Sequence, residues 1–242
     1  MAVNIFGFEI SRPKEQNREL KSFVPAETVN DEGSLTVQSN FYGTYLNLDN
    51  NAKSDSELID RYRDMSIHPE VDSAIDDIVA EAIVNDTDEY PIKILTKNVN
   101  QTETVKKSIS EEFSNILRMM KFRENGYNIF KNWYIDGRLY FHIIVDPNKP
   151  KEGIKELRKI DPRKIKKIRE IQKKDKKQGE SSISLVSNVK EYYIYNDKGI
   201  INGDTAGGVP ITIDSVAHCP SGLKDGKRNY VIGHLHKVIK PL

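Results

Sequence analysis

The chain has 242 residues, of which 30% are charged and 37% are apolar, and its formal net charge is +1. This length is enough for one large domain or two small ones, and the near-neutral total predicts no class of partner. Cys219 is the single cysteine, which excludes an intrachain disulfide and favours a reducing compartment. No apolar run approaches the ~20 residues of a membrane-spanning helix, and the N-terminus does not resemble a signal peptide. We therefore expect a soluble chain, made in a cytoplasm, without stable membrane insertion.

The charges are distributed very unevenly along the sequence. Residues 54–90 carry twelve acidic side chains against two arginines, a net charge of −10. Residues 149–177 carry fourteen basic side chains against five acidic ones, a net charge of +9. Such a bipolar chain is compatible with head-to-tail contact between copies, with one basic face for a polyanion, or simply with two solvated faces.

Residues 1–53 show no sustained hydrophobic period, and six aromatic side chains are scattered through them. We predict a flexible N-terminal arm over residues 1–53, whose aromatic residues favour docking onto a neighbour, and a folded domain over residues 54–242. Order is expected to begin at Ser54, because Ser54 and Glu57 have the spacing of a capping box.

The clearest helix begins at Pro69, since proline suits the first helical position and pushes His68 out of the helical region. Apolar side chains then recur every three to four residues from Val71 to Ile83 and form one stripe. The other face is acidic, and acids beyond the first turn gain nothing from the helix dipole. A cationic neighbour would therefore suit the acids past the first turn, whereas the dipole favours Glu70 and Asp72 near the helix start. The candidate acidic partner face consists of Asp72, Asp76, Asp77 and Glu81.

Residues 91–96 (PIKILT) are typical of a short strand, and residues 103–121 of a second amphipathic helix. A third helix is expected to end near Gly137, which would act as its C-cap. This helix carries Tyr127, Phe130, Trp133 and Tyr134. Such aromatic residues could stack on nucleic-acid bases, but their helical spacing beside an apolar strand favours the core.

The rest of the sequence predicts β-structure, so the fold class is α+β, with amphipathic helices packed on antiparallel strands. Asp-Pro pairs at Asp146 and Asp161 indicate fixed corners, in which the carboxylate caps a nearby backbone N–H. A polar loop is expected over residues 173–188. Strands are expected at residues 138–145, 154–160, 166–173, 191–196, 199–202 and 211–218, with a helix or strand at residues 231–239.

The sequence gives little support for an enzymatic function. The histidines and Cys219 lack the spacing of a metal site, and no nucleophile is paired with a base. Asp136, Asp146 and Asp161 lie near strand ends and could serve a hydrolase or nuclease, but the turn role explains two of them. We predict no catalytic residue, no metal ligand and no cofactor.

The basic strands allow two hypotheses. They could neutralise nucleic-acid phosphates as a free-standing binding module at residues 149–177, although no known nucleic-acid-binding motif is present. Alternatively, they form a subunit-contact basic face that meets the acidic helix of a neighbour. The residues of this candidate face are Lys155, Lys159, Arg163, Lys164, Lys166, Lys167 and Arg169.

Seven segments of the sequence are distinctive. The most specific is GIKELRKIDPRKIKKIREI, residues 153–171. The others are ELIDRYRDM (57–65), PEVDSAIDDIVAEAIV (69–84), NWYIDGRLYFHIIVDPNKPKEGI (132–154), KEYYIY (190–195), AHCPSGL (217–223) and IGHLHKVIKP (232–241). In the same order, these segments resemble the portal vertex (head–tail connector) proteins of contractile-tailed, myovirus-type bacteriophages. The resemblance covers about residues 54–242.

The resemblance implies a structural protein rather than an enzyme. Family members form a homo-oligomeric ring, expected to be a dodecamer, at the unique capsid vertex of the virion. The ring nucleates head assembly with the major capsid and scaffold proteins, docks the terminase packaging motor and the neck proteins, and lets double-stranded DNA pass. The matched region implies a portal wing-like domain, and the family's stem, clip and crown are expected to be absent from this chain.

Overall fold

The computed structural model of the protein describes residues 3–5, 8–10, 34–38, 45–84, 91–178, 181–200, 208–224 and 231–239. Its elements confirm the α+β class. The helices are α1 (Tyr45–Ser66), α2 (Pro69–Ala82), α3 (Glu103–Met119) and α4 (Phe122–Asp136). The strands are β1 (Val3–Ile5), β2 (Phe8–Ile10), β3 (Leu35–Gln38), β4 (Arg138–Val145), β5 (Ile154–Ile160), β6 (Ile165–Gln178), β7 (Ser181–Tyr195), β8 (Val209–Ile211) and β9 (Val216–Pro220).

The start of α2 confirms its prediction, whereas the start of α1 does not. His68 is extended, with φ −65° and ψ 130°, and Pro69 occupies the first turn of α2. Helix α1 begins at Tyr45, so Ser54 lies inside the helix and the predicted capping box there is wrong. Burial of Asp55 and Ser56, each 4% exposed, ties this polar stretch into the fold. The boundary between residues 53 and 54 falls inside α1, and the division into arm and domain stays a prediction.

Gly137 ends α4 as predicted. Its φ of 72° is left-handed, and its N–H donates to the carbonyl of Trp133. A Cβ at this position would also lie 2.7 Å from the Cα of Gly233. Both the conformation and the close approach therefore require glycine here. Among the helices of the described ranges, none is long and apolar enough to cross a bilayer.

Two sheets carry most of the β-structure. In the first, β4 lies between β5 and β9 and pairs antiparallel with both. In the second, the order is β3-β6-β7-β8, with β3 parallel to β6 and the other pairs antiparallel. A separate ribbon joins β1 and β2. The turn after β5 passes the chain from the first sheet to the second, so it lies where the two sheets meet.

Several predicted β-segments differ in the structure. The predicted loop at residues 173–188 is wrong, because the ends of β6 and β7 form a long hairpin there. Residues 91–96 form no strand, and the strand predicted at 211–218 is divided between β8, a 3-10 turn at Ile213–Ser215 and β9. The end of the chain forms a 3-10 turn at His234–Lys237. The turn after β7 is present, but Gly199 and Ile200 are not in a strand, and the other half of the strand predicted at 199–202 lies outside the described residues.

The core has two main parts. Between the helices, Tyr62, Ile75, Val79, Ile135 and Leu235 are buried together. Three of the four predicted aromatic residues of α4 belong here, since Tyr127, Phe130 and Tyr134 pack against this cluster, which confirms the prediction for them. Trp133 is half-buried and contacts Phe130 and His234. At the junction of the sheets, a second apolar cluster contains Tyr140, Ile160, Ile165, Tyr193 and Val216.

Candidate subunit-contact surfaces and the ion-pair network

Three charged side chains meet in the interior, and we call them the buried cluster: Asp55, Arg138 and Lys166. They come from α1, the first residue of β4 and the second residue of β6. Arg138 donates to Asp55 from Nη1 at 2.8 Å, and the Lys166 ammonium donates to the same carboxylate oxygen. A second guanidinium nitrogen of Arg138 donates to the Val231 carbonyl. The cluster therefore ties α1 to both sheets and to the end of the chain.

Electrostatics favours the charged forms of Asp55 and Arg138 in the buried cluster. Burial alone would raise the pKa of Asp55, but the positive charges and hydrogen bonds of Arg138 and Lys166 lower it to about 2. Burial would likewise lower the pKa of Arg138, but the Asp55 carboxylate outweighs it and the pKa is raised. Burial prevails at Lys166, whose pKa is lowered. A carboxylate held this firmly by two cations is poorly suited to accept a proton as a general base.

A second group of charges, the rim cluster, surrounds the turn between β5 and β6. Arg63 on α1 makes a two-pronged contact with Asp136, at 2.9 and 2.7 Å, and reaches Asp161 at 3.4 Å. The Arg163 guanidinium pairs with Asp161 at 2.7 Å and with Asp60 of α1 at 2.9 Å. Burial would raise the pKa of Asp161, but Arg163 and Arg63 lower it well below its ordinary value. The rim cluster is therefore a second attachment of α1 to the sheets.

The Asp-Pro corners have the predicted geometry. The Asp146 carboxylate accepts from the backbone N–H of Asn148 at 2.9 Å, and that of Asp161 accepts from the N–H of Arg163 at 3.0 Å. Asp136 lies elsewhere, at the end of α4, with its carboxylate bound to Arg63. The three acids weighed as candidates for hydrolysis are thus occupied by turn geometry or by an arginine.

The predicted basic face is divided by the structure. Lys166, Lys167 and Arg169 are buried inside the chain, so they do not form an exposed surface with the other predicted residues. The reason is that β6 is covered on both faces, and Glu191 on β7 lies 3.1 Å from Lys167 and 3.3 Å from Arg169. On the outside, Lys155 pairs with Glu152 at 2.6 Å and Lys164 with Asp197 at 2.9 Å, while Arg163 belongs to the rim cluster. Lys159 makes no ion pair within the described residues.

The predicted acidic face of α2 is divided too. Asp72 and Asp76 turn towards α4, where the Lys131 ammonium donates to them at 2.8 and 2.6 Å. The Tyr127 hydroxyl also donates to Asp76 at 2.6 Å. Asp77 and Glu81 remain exposed on the opposite side of the helix. Half of the face therefore finds its expected cation inside the same subunit.

The histidines are used in packing. The His234 ring is stacked on Tyr134 at 4.6 Å, and that of His218 on Tyr140 at 4.4 Å. Burial, with the nearby charge of Arg138, lowers the pKa of His218 to about 3, which keeps this imidazole neutral. Nδ1 of His236 hydrogen bonds to the Tyr62 hydroxyl at 2.9 Å. In the part of the chain that the structure describes, no group of three His, Cys, Asp or Glu residues could hold a metal ion.

One open depression lies between the end of α3, the outer side of α4 and strands β4 and β5, and we call it the α4 groove. Its volume is about 370 Å³. Its lining combines apolar side chains, three asparagines of α4 and two lysines, and it contains no carboxylate. The lining residues are Met119, Met120, Lys121, Asn125, Asn128, Ile129, Asn132, Phe141, Leu157 and Lys159. Of the predicted contact residues, Lys159 alone belongs to it.

Three cations that form ion pairs between elements of the subunit were not identified from the sequence. Arg63, Lys131 and Arg138 were not singled out, although each binds a predicted acidic region or strand end. A local signal existed for Lys131, which lies one helical turn from Tyr127 and on the same side of α4. No local signal existed for Arg138, because its partner Asp55 is 83 residues away along the chain.

Comparison of the sequence with known proteins identifies its family. The family described as Bacteriophage T4-like portal protein (Gp20) matches residues 55–242, which begin at Asp55 of the buried cluster. The chain is 31% identical over 247 residues to the portal protein of Vibrio phage KVP40, covering 94% of this chain and 46% of that protein. It is 30% identical over 191 residues to the portal protein of Salmonella phage ViI, covering 78% and 33%.

The chain thus spans less than half the length of these two relatives. The match nevertheless extends over every helix and strand from the second half of α1 onwards. The family predicted from the ordered sequence segments is confirmed. The chain belongs to the family of Bacteriophage T4-like portal proteins.

Proposed function

We propose that this chain is a structural, non-catalytic subunit of a phage portal ring at the unique capsid vertex of the virion. The observation that carries the proposal is the family match over residues 55–242, which includes both charged clusters that attach α1 to the sheets. A subunit of a ring must keep its shape while neighbouring subunits and passing DNA exert force on it. In this chain, two ion-pair clusters and two apolar clusters supply that rigidity.

We also propose that the chain does not catalyse a reaction. Asp55, Asp136 and Asp161 each bind an arginine or a lysine. Each carboxylate therefore accepts hydrogen bonds from at least one cationic side chain. We infer that these acids position secondary structure and do not take part in a reaction.

In the ring, copies of the chain contact one another head to tail, which is the arrangement that closes a cycle of identical subunits. A dodecamer is the expected number. The ring nucleates head assembly with the major capsid and scaffold proteins, docks the terminase motor and the neck proteins, and lets double-stranded DNA pass. Exposed charges on α2 and on the basic residues near β5 are the proposed contacts between copies.

The rival function, a free-standing nucleic-acid-binding module, receives less support. Of the seven basic residues named above within residues 149–177, three are buried, and Lys155, Arg163 and Lys164 bind carboxylates. Among these seven, Lys159 alone is left for phosphates, so we expect the isolated chain to bind duplex DNA weakly and without a steep dependence on salt.

The proposal is tested by labelling particles of the phage that encodes the chain. Antibodies raised against the chain, coupled to gold, should mark one vertex per particle in electron micrographs. Antibodies against the major capsid protein provide the control and should mark the whole shell. Label spread evenly over the shell, or label confined to the tail, would contradict a role at the portal vertex.

A further inference from the structure

The outward side of α2 carries charges that the subunit itself does not neutralise. Glu70, Asp77 and Glu81 are exposed, and none of them forms a hydrogen bond or ion pair in the described part of the chain. With Ala74 they are spaced by four, three and four residues, so they form one straight row along the helix. Ile78, 40% exposed, lies beside this row. We call these five residues the α2 ridge.

The α4 groove has the opposite character. Lys121 and Lys159 line it, and neither pairs with a carboxylate in the described ranges. Burial lowers the pKa of Lys159, so an arriving carboxylate would compensate a charge that is partly withdrawn from water. Lys121 is held with φ at 47°, a conformation that glycine or asparagine adopts more readily. Its long cationic side chain therefore stands at a position where the backbone conformation favours glycine or asparagine.

The floor and wall of the groove suit a helix surface. Met120, Ile129 and Leu157 offer apolar contact for a side chain such as Ile78. Asn125 and Asn128 are exposed and make no side-chain hydrogen bond within the described residues, so their amides are available to polar groups at the edge. A volume of about 370 Å³ accommodates a few side chains from one ridge, rather than a whole helix.

The ridge and the groove face away from each other. Lys131 and Tyr127 mark the side of α4 that meets α2, and the groove asparagines lie roughly 115° around the same helix, at 100° per residue. On α2, Asp72 and Asp76 face α4, and the ridge lies roughly 165° from the centre of that face. One subunit therefore cannot place its own ridge in its own groove.

We propose that the α2 ridge of one copy of this chain binds in the α4 groove of the next copy, with Asp77 and Glu81 near Lys121 and Lys159. This inference rests on the proposed function and names the contact surface between subunits. Because the two surfaces differ and lie on opposite flanks, the contact is heterologous, and repeating it generates a ring or an open chain of copies. Its charged part is exposed, so added salt weakens it.

The test uses two double variants of the chain. Lys121→Glu with Lys159→Glu reverses the groove, and Asp77→Lys with Glu81→Lys reverses the ridge. Sedimentation velocity should show that either variant alone associates roughly tenfold more weakly than the wild-type chain. An equimolar mixture of the two should recover association, because each reversed groove then meets a reversed ridge and each native groove a native ridge.

A matched control is Lys151→Glu with Asp214→Lys, two exposed residues outside both surfaces, which should associate as the wild type does. Circular dichroism verifies that every variant is folded. Association of either reversed variant at wild-type strength, or a mixture that stays dissociated, overturns the proposed contact. So does a wild-type chain that stays monomeric at about 100 µM, a concentration well above a micromolar contact. The single-vertex labelling is independent of all these outcomes, so the ring function can stand if this contact fails.

Discussion

The buried cluster and the ion pairs between α2 and α4 have nearly the same geometry and different surroundings. Arg138 lies 2.8 Å from Asp55, and Lys131 lies 2.8 Å from Asp72. The side chains of the first pair are 2% and 6% exposed, while those of the second are 24% and 46% exposed. Water screens the second pair and leaves the first to the low-dielectric interior.

The comparison teaches that distance alone does not tell what an ion pair does. Breaking a buried pair leaves an uncompensated charge inside the protein, whereas breaking an exposed pair exchanges one solvated partner for water. We therefore assign the buried cluster to the stability of the subunit. Exposed charges contribute little to stability and remain available for contacts between subunits.

The largest expected effect comes from Arg138→Met, which removes one cation and keeps most of the side-chain volume. It should lower the free energy of unfolding by about 3–5 kcal/mol, because the buried Asp55 carboxylate loses one of its two cationic donors and the buried Val231 carbonyl loses its donor. Urea titration followed by circular dichroism measures this. Arg158→Met, at an exposed pair 2.7 Å from Glu156, is the matched control and should leave the stability close to that of the wild type. A loss below about 1 kcal/mol in Arg138→Met would contradict the assignment.

The variant Arg63→Met tests the rim cluster, in which one partner is partly exposed and the other is buried. Arg63 is 33% exposed, but its partner Asp136 is 2% exposed and would lose its two-pronged contact. We expect a loss of about 2 kcal/mol in the same urea titration. Adding Asp136→Leu should recover part of this loss, since removing both charges leaves no buried carboxylate unpaired. A double variant less stable than the single one would argue against ion pairing as the cause.

Acid should weaken the buried cluster in a defined direction. The pKa of Asp55 is lowered from 3.8 to about 2 in the folded protein, so the unfolded chain takes up its proton first as the pH falls. The contribution of Asp55 is therefore fully present above about pH 5 and is lost as the pH falls towards 2, amounting to about 2 kcal/mol. Unfolding free energies at a series of pH values measure it. A free energy that stays level between about pH 4.5 and 2.5 would contradict it.

The smallest effect is expected at the exposed pairs. Lys131→Met should lower the free energy of unfolding by no more than about 1 kcal/mol, although it removes contacts to both Asp72 and Asp76. Lys107→Met, whose ammonium lies 3.9 Å from Glu111 on α3, provides the control and should be close to neutral. If Lys131→Met proved as damaging as Arg138→Met, solvent exposure would not be the deciding variable.

Features set by neighbouring residues could be predicted from the sequence. Pro69 opens α2, Gly137 closes α4, and both Asp-Pro corners form because each depends on backbone preferences within a few residues. Tyr127, Phe130 and Tyr134 of α4 could be placed in the core because of their helical spacing beside an apolar strand. The family was also accessible, because its segments recur in order along most of the chain.

Features set by distant residues could not be predicted. The lysine-rich end of β6, residues 173–178, has no apolar alternation, and it is a strand because its antiparallel pairing with β7 continues past the bulge between Gln172 and Lys173. Lys166 and Lys167 looked like surface residues, and they are buried because Asp55 and Glu191 approach from α1 and β7. Likewise, the sequence showed four acids on one helix, but not that α4 would bind two of them.

The central claim is that buried charges hold each subunit together while exposed, unpaired charges hold copies to one another. Sedimentation velocity of the wild-type chain from about 0.05 M to about 0.5 M sodium chloride, with urea unfolding at each step, tests it directly. We expect the oligomers to dissociate as salt rises, while the free energy of unfolding of the subunit changes by less than about 0.5 kcal/mol. Oligomers that persist unchanged in high salt, or a subunit that loses stability in step with dissociation, would contradict the claim.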